Sequence, residues 1–299
     1  MRAIVRDASG VRLRELPEPS AAPGWLRLRV LVAGICRTDV YAADGLFALT
    51  GARTLGHELV GEVLEEVGSF RRGERVTASP LLPCGTCAGC DRHAGCHDPR
   101  MLGVDVDGAF AEEVAIPVAN AFRVPDTLPL RRAAYVEPIA ASLAVTRAHI
   151  RPSDRGVILG SGRIASLTLS ILRAKGFDRV ALAAPSEVPS DMDFAVETHA
   201  SAEVLGAALR AVKPGGVVVW KSRPAKPVPF DLGYAVRKGV TIDAVGYGSF
   251  EEAVALAASL PIDDLLGDVF PLGRFEVALA RARNEPMAPK LFLTPNAEG

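Results

Sequence analysis

The sequence predicts an α/β chain in which a β-rich domain is interrupted by a shortened, doubly wound parallel sheet. Three observations carry that expectation. The first ~140 residues are punctuated by Gly and Pro and hold short runs of period-two alternation, the mark of half-buried strands. Near Ala133 the texture changes to Ala-rich helical stretches alternating with short apolar strands. Within that second region a glycine turn, Gly160-Ser161-Gly162, joins a strand to a helix, as parallel strand–helix–strand units require.

Taken in order, Leu26–Val32 alternates apolar and basic residues and is predicted as a strand. Leu59–Val67 and Gly73–Thr77 continue an antiparallel pattern, followed by Phe110–Pro117 and Ala121–Pro125. Ala140–His149 lacks Gly and Pro and is predicted as a helix closed by Arg151-Pro152. Strand Gly156–Leu159, helix Ile164–Lys175 with Gly176 as its stop, and strand Arg179–Ala183 form the first parallel unit. Further strands are predicted at Asp193–Glu197, Gly216–Trp220 and Val240–Val245. Helices are predicted at Ala202–Val212, Phe250–Ser259 and Phe275–Arg283, and Lys290–Leu293 is a last short strand.

Composition narrows the classes. Apolar residues make up 49% and charged residues 23% of 299 residues, and the formal net charge is −1. That balance suits a globular protein and lacks the basic stripe of a general nucleic-acid binder. No apolar run approaches the ~18–20 residues that cross a bilayer, and Met1–Asp7 holds no apolar segment of the secretory kind. The expectation is a cytoplasmic protein acting on a small molecule, with neither nucleic acid nor membrane as partner.

Four of the five cysteines, Cys84, Cys87, Cys90 and Cys96, are spaced C-x2-C-x2-C-x5-C and interleaved with Gly85, Gly89 and Gly95. Zn²⁺ takes four thiolates at tetrahedral corners, and four protein ligands leave no open position, so this set reads as a structural site. His93 and His97 are alternatives to Cys96 as fourth ligand; the all-sulfur set is preferred. Cys36 stands apart. With His57 it offers a thiolate and an imidazole, and Glu58 and Glu137 are carboxylates that would complete a catalytic site of three ligands and one open position. Alone, Cys36 would more often be a small buried apolar residue.

The order of these features is specific. Gly34-Ile35-Cys36-Arg37-Thr38-Asp39, then Gly56-His57-Glu58, the four-cysteine loop, Gly108-Ala109-Phe110-Ala111-Glu112 and the glycine turn at 160 resemble the zinc-dependent medium-chain dehydrogenase/reductase family of alcohol, sorbitol and threonine dehydrogenases. The resemblance runs nearly end to end. It implies a GroES-like catalytic domain at residues 1–144 with a structural zinc loop at about 80–100. A shortened Rossmann-type dinucleotide-binding domain follows at 145–246, and residues 247–299 return to the catalytic domain. It also implies two zinc ions per chain, NAD or NADP, and a homodimer or homotetramer joined through Thr241–Val245. Cys36 and His57 are implied as zinc ligands. Glu58 stands where relatives use a ligand or a closely held neighbour, and Glu137 where they have a ligand cysteine or carboxylate. Thr38 matches the hydroxyl that passes the substrate proton outward, Asp39 the carboxylate behind the zinc histidine, and Arg37 a residue near the cofactor pyrophosphate. Tyr41 replaces a relay histidine. Relatives with Glu at position 137 act on polyols, sugars or hydroxy-amino acids.

Leu159-Gly160-Ser161-Gly162-Arg163-Ile164-Ala165 reads G-x-G-x-x-A between strand and helix, a permitted dinucleotide fingerprint. It marks Gly160, Gly162, Arg163 and Ile164 as cofactor-contacting positions at a helix N-terminus. Two features depart from that pattern. The second strand ends Ala183-Ala184-Pro185-Ser186, with no acidic residue for the adenosine ribose. Only nine residues then separate it from Asp193, where relatives fit a helix, a strand and a helix. Because the usual order 3-2-1-4-5-6 puts the third strand at the edge, its loss leaves 2-1-4-5-6 paired without a gap. The functional expectation is a zinc-dependent oxidoreductase moving a hydride between a secondary alcohol or ketone (polyol, sugar, cyclitol or amino alcohol) and NAD(P). The alternatives are a zinc lyase, isomerase or hydrolase of the same fold, and a non-enzymatic partner-binding protein.

Overall fold

A computed structural model of the chain describes residues 1–46, 51–91 and 95–295. In chain order the elements are β1 Arg2–Asp7, β2 Gly10–Glu15, β3 Trp25–Gly34, α1 Arg37–Ala43, β4 Arg53–Thr54, β5 Glu58–Val63, β6 Arg75–Ala78, β7 Leu81–Leu82, α2 Ala88–Asp91, β8 Arg100–Met101, β9 Glu113–Pro117, β10 Ala121–Arg123, α3 Leu130–Ala134 and α4 Val136–Leu143. They continue with β11 Gly156–Leu159, α5 Arg163–Ala174, β12 Val180–Ala183, β13 Met192–Glu197, α6 Ala202–Ala211, β14 Val212–Trp220, α7 Leu232–Lys238, β15 Thr241–Ala244, α8 Phe250–Ser259, β16 Leu266–Pro271, α9 Phe275–Asn284 and β17 Lys290–Thr294. Among the described residues no helix is long and apolar enough to cross a membrane. Two compact units result: Met1–Glu137 with Leu266–Gly299, and Pro138–Leu265.

The first unit is built on β3. Its alternating side chains bury Leu26, Leu28 and Val30 while Arg29 faces solvent, as period-two patterning on a one-sided sheet demands. The seven-stranded sheet has the order β10-β6-β5-β3-β17-β16. β9 pairs antiparallel with the first half of β3 (Trp25 opposite Pro117), and β17 with its end (Phe292 opposite Gly34). The hairpin β1–β2, which sequence periodicity did not single out, turns at Ser9, whose N–H and hydroxyl both donate to Asp7 Oδ1. β1 also pairs with β4, so the N-terminal strand is tied to the segment leading into His57.

The second unit is a five-stranded parallel sheet in the order β12-β11-β13-β14-β15. This is the 2-1-4-5-6 arrangement expected once the outer third strand is deleted. Helix α5 covers one face, where Ala165 and Leu172 pack on Ile158, Val180 and Phe194. Helix α6 covers the other, where Ala207, Ala208 and Leu209 pack on Val157, Leu159 and Ala195. A short 3-10 turn, Pro185–Glu187, begins the return from β12 to β13.

Helices α1, α3 and α7 were not among the expected ones, and one expected helix differs. The predicted Ala140–His149 helix is displaced: α4 starts at Val136 and ends at Leu143, and Ala144–Arg147 tightens to a 3-10 turn. Pro138 is tolerated because it lies in the first turn, where its missing N–H has no intrahelical acceptor. Glu137 therefore projects from a helix N-terminus rather than from a loop.

Close packing at Gly156 offers a direct test. A Cβ there would fall 2.1 Å from the Phe194 ring, which is itself held edge-on against Phe177. Gly156→Ala should destabilise the second unit by about 1–3 kcal/mol, measured as a lower urea midpoint of Trp220 fluorescence in a Trp25→Phe background. An unchanged midpoint would mean the ring has room to yield.

Candidate functional site

Three strand ends converge in the first unit. β3 finishes at Gly34 and delivers Cys36. β5 begins at Glu58, opposite Gly34, and is preceded by His57. β17 begins at Lys290 and is locked alongside by Ile35 N–H donating to Leu291 O (2.9 Å). The candidate donor atoms of Cys36, His57 and Glu58 lie within 4.8 Å of one another. Glu137 does not join that set, but its charge bears on Glu58 and it is only 4% exposed.

Asp39 organises the segment. Cys36 precedes the first residue of α1, and Asp39 in the first turn reaches back so that Oδ2 accepts the Cys36 N–H (2.8 Å). Its other oxygen accepts the Gly56 N–H (3.1 Å) and lies 3.5 Å from His57 Nδ1. One buried carboxylate thus ties the thiol-bearing turn to the imidazole-bearing one. Thr38 Oγ1 lies 3.8 Å from Cys36 Sγ, and Arg37 is the first residue of α1.

Gly56 explains the second motif. It adopts φ +96°, and a Cβ would strike the Phe110 ring and backbone at 2.4–2.8 Å. Gly108 is equally constrained, since a Cβ there would sit 2.1 Å from Gly56 O. The N–H groups of Gly108, Ala109 and Phe110 donate to Thr54 O, Gly56 O and Leu55 O. The Gly108–Phe110 run is the backing on which His57 is mounted.

The electrostatics favour a cation. Burial opposes a charged imidazole, yet the Asp39 carboxylate and the Cys36 thiol outweigh it and raise His57 well above its ordinary value. Burial, with the Glu137 charge, raises Glu58 even though Lys290 and His57 pull the other way. Buried His57 Nδ1 makes no hydrogen bond of good geometry, its Asp39 neighbour lying 3.5 Å away. A buried cluster that raises proton affinity at an imidazole has negative potential, and its thiolate, imidazole and carboxylate donors are those zinc takes. The residues fit the metal.

Lys290 was not singled out by sequence reading. It is 3% exposed, and its Nζ pairs with the Glu58 carboxylate at 2.5 Å. The pair passes over Gly34, where a Cβ would come 2.4 Å from Glu58 Oε2 and 2.9 Å from Lys290 Cε. The available signal was a lone lysine opening an otherwise apolar strand, whose charge had to meet an acid once buried.

The four-cysteine loop springs from the two-stranded ribbon β7–β8. The sulfurs of Cys84, Cys87, Cys90 and Cys96 also lie within 4.8 Å of one another, with Cys87 Sγ 3.5 Å and Cys84 Sγ 3.8 Å from Cys90 Sγ. The Thr86 N–H and hydroxyl hold the Cys84 thiol down to about 6. Although the Gly85 N–H favours its thiolate, burial and the neighbouring thiols push Cys90 up to about 11. Sulfurs competing for protons in this way suit a shared cation. His97 is exposed, and its N–H stabilises the Cys87 thiolate. His93 lies outside the described residues.

In the second unit, Gly160 adopts φ +131° at the end of β11. Gly162, in extended conformation, precedes Arg163 and Ile164 in the first turn of α5. The backbone N–H groups of that turn are the donors a pyrophosphate would use.

Lys290→Met should cost about 3–5 kcal/mol in urea unfolding, because it leaves Glu58 buried without its counter-charge. Adding Glu58→Gln should recover most of the loss. If the double variant is no more stable than the single one, the ion pair is not what holds β17 to β5.

Residues 22–126 match the alcohol dehydrogenase GroES-like domain. An L-threonine 3-dehydrogenase of Streptomyces avermitilis is 36% identical over 202 residues, which are 62% of this chain and 58% of that protein. One from Thermococcus kodakarensis is likewise matched over only 57% of its length. An L-threonine 3-dehydrogenase of Streptomyces coelicolor is 28% identical across 331 aligned positions, 94% of this chain and 96% of that protein. Among solved structures, a protein of Sinorhizobium meliloti 1021 described as a zinc-binding dehydrogenase and bound to NADP superposes with a TM-score of 0.87 at 26% identity. That likeness covers 98% of this chain and 99% of the other. With its motifs in this order, the chain carries the alcohol dehydrogenase GroES-like domain and is similar nearly end to end to an L-threonine 3-dehydrogenase and to a solved zinc-binding dehydrogenase.

Proposed function

We propose that the protein is a zinc-dependent, NAD(P)-linked dehydrogenase of secondary alcohols, with a polyol, sugar, cyclitol or amino alcohol as substrate. The observation that carries this reading is the negatively biased set of half-buried Cys36 and buried His57 and Glu58. It occurs in a chain that also carries a doubly wound parallel sheet with a G-x-G-x-x-A turn. The alcohol class follows from Glu137 and from the threonine dehydrogenase and D-xylulose reductase names of relatives.

In this reading Cys36 and His57 hold the catalytic zinc, a carboxylate from Glu58 or Glu137 completes the set, and Cys84, Cys87, Cys90 and Cys96 hold a structural zinc. Bound there, zinc supplies a Lewis acid that lowers the pKa of an alcohol, and the nicotinamide supplies the hydride acceptor. Thr38 Oγ1, beside Cys36 Sγ, receives the hydroxyl proton and passes it outward. Asp39 fixes the orientation of the His57 ring, as carboxylates behind metal-bound histidines do. The α5 N-terminus, from Gly162 to Ile164, binds the pyrophosphate, and the family resemblance implies a cofactor role for Arg37 as well. The end of β12 offers no acid to the adenosine ribose, so selection between NAD and NADP is weak. Pairing of the β15 edge with its copy would give a dimer or tetramer.

A second reading draws on the missing third strand. A zinc lyase, isomerase or hydrolase would need the metal site but no external dinucleotide. Fluorescence titration with NADH and NADPH decides between the two: absence of binding by both would rule out the dehydrogenase.

Purified protein is expected to hold two zinc equivalents and to reduce NAD(P) with a polyol or amino alcohol. Cys36→Ala and His57→Ala should each leave about one equivalent and lower kcat on the order of 10³-fold, the worth of several kcal/mol of transition-state stabilisation. Their Tm should stay near wild type. Cys87→Ala should instead lower Tm by several degrees, because a closed zinc site contributes folding energy. Indistinguishable behaviour of the two classes would refute the two-site assignment.

A further inference from the structure

Open parallel sheets bind ligands outside the carboxyl ends of their strands, where neighbouring connections leave in opposite directions. In this sheet that point lies between β11 and β13, whose last residues, Leu159 and Glu197, are register partners. Glu197 is a carboxylate 1% exposed, and its charge needs donors at that depth. It has three. Oε2 accepts the N–H groups of Lys221 (3.3 Å) and Ser222 (3.2 Å), and Oε1 accepts the Ser222 hydroxyl. Ser222 Oγ in turn accepts the Ala200 N–H (3.1 Å), just before Ser201 caps α6 through Val204 N–H. Glu197 therefore fastens the chain leaving β14 to the end of β13 and to the start of α6.

Thr198 does the same on the other side. Its N–H (3.3 Å) and hydroxyl (2.7 Å) both donate to Leu159 O, the carbonyl directly before the glycine turn. Its Oγ1 occupies the space a Cβ on Gly160 would need, 2.5 Å away. The bare face of Gly160 is thus packed by protein, and Thr198 fixes where the turn begins.

We propose that Glu197 and Thr198 are a positioning pair for the dinucleotide. They set the separation of the β11, β13 and β14 ends, so that the glycine turn and the Lys221–Ser222 segment stand at the spacing the cofactor spans. The inference rests on the dinucleotide reading above. Neither residue belongs to the glycine fingerprint, and neither need touch the nucleotide to govern its affinity.

The test uses the full-length zinc-loaded protein, with NADH and NADPH as probes followed by nucleotide fluorescence, and Tm and zinc content measured in parallel. Glu197→Leu removes all three acceptor contacts, and Thr198→Val removes one bond at nearly constant volume. Each should weaken nucleotide binding about tenfold or more at temperatures where the protein is fully folded, with zinc content unchanged. Glu197→Gln can still accept from two N–H groups and donate to Ser222 Oγ, and Thr198→Ser keeps the hydroxyl; both should return affinity to within about threefold of wild type. Should Glu197→Leu fail to fold, Thr198→Val and Ser222→Ala decide. Lower Tm with unchanged nucleotide affinity in the removing variants would overturn the proposal and leave a purely structural role. If wild type binds neither nucleotide, the dinucleotide reading fails first and this inference falls with it. Wild-type binding that the variants share would sink the inference alone.

Discussion

Burial of several ionisable groups side by side is the constraint around which the first unit is built. Cys36, Asp39, His57, Glu58 and Glu137 are all brought to the ends of β3 and β5 or to helix starts beside them, and Asp39, His57, Glu58 and Glu137 are almost wholly removed from water. A collection of anions in a low-dielectric setting is costly unless counter-charge is supplied. The returning last strand, alongside β3, brings the Lys290 cation to this cluster. Burial opposes charge on the His57 ring, yet Asp39 and Cys36 favour it, a negative bias that a divalent ion would also meet.

That requirement accounts for features that otherwise look unrelated. Gly34 must lack a side chain so that the Glu58–Lys290 pair can pass over it, and Gly56 and Gly108 must lack theirs so that His57 can be backed by the Phe110 loop. Helix α9 docks beside α1, with Arg283 paired to Asp44 at the end of α1, so the C-terminal return braces the helix that starts from Cys36. α9 and β17 are part of the site's support and not an appendix to it.

The second unit solves a different problem. Loss of an edge strand from a parallel sheet removes no internal pairing, and β12 through β15 keep continuous ladders. The geometry at the carboxyl ends is then held by short polar links from Glu197 and Thr198 rather than by more strands. Polar networks of this kind specify a unique arrangement only when every member is satisfied, and the Glu197 carboxylate has a donor for each oxygen.

Local pattern was sufficient wherever the physics is local. The spacing of Cys84, Cys87, Cys90 and Cys96, the strand–glycine–helix turn at Gly160, the Phe250–Ser259 helix and the strand order after deletion all follow from near-neighbour chemistry or from topology rules that act on element order. The β1–β2 hairpin, the displaced start of α4 and the role of Lys290 did not emerge that way. Lys290 and Glu58 are separated by 232 residues, and nothing in either neighbourhood names the other. Likewise Glu197 reads as the end of a strand until Lys221 and Ser222 are folded against it. Sequence alone determined which residues are candidates for metal and nucleotide, because donor type and spacing are written in the chain. Only the tertiary structure decided which charges meet, because desolvation couples every group in a buried cluster whatever its distance along the backbone.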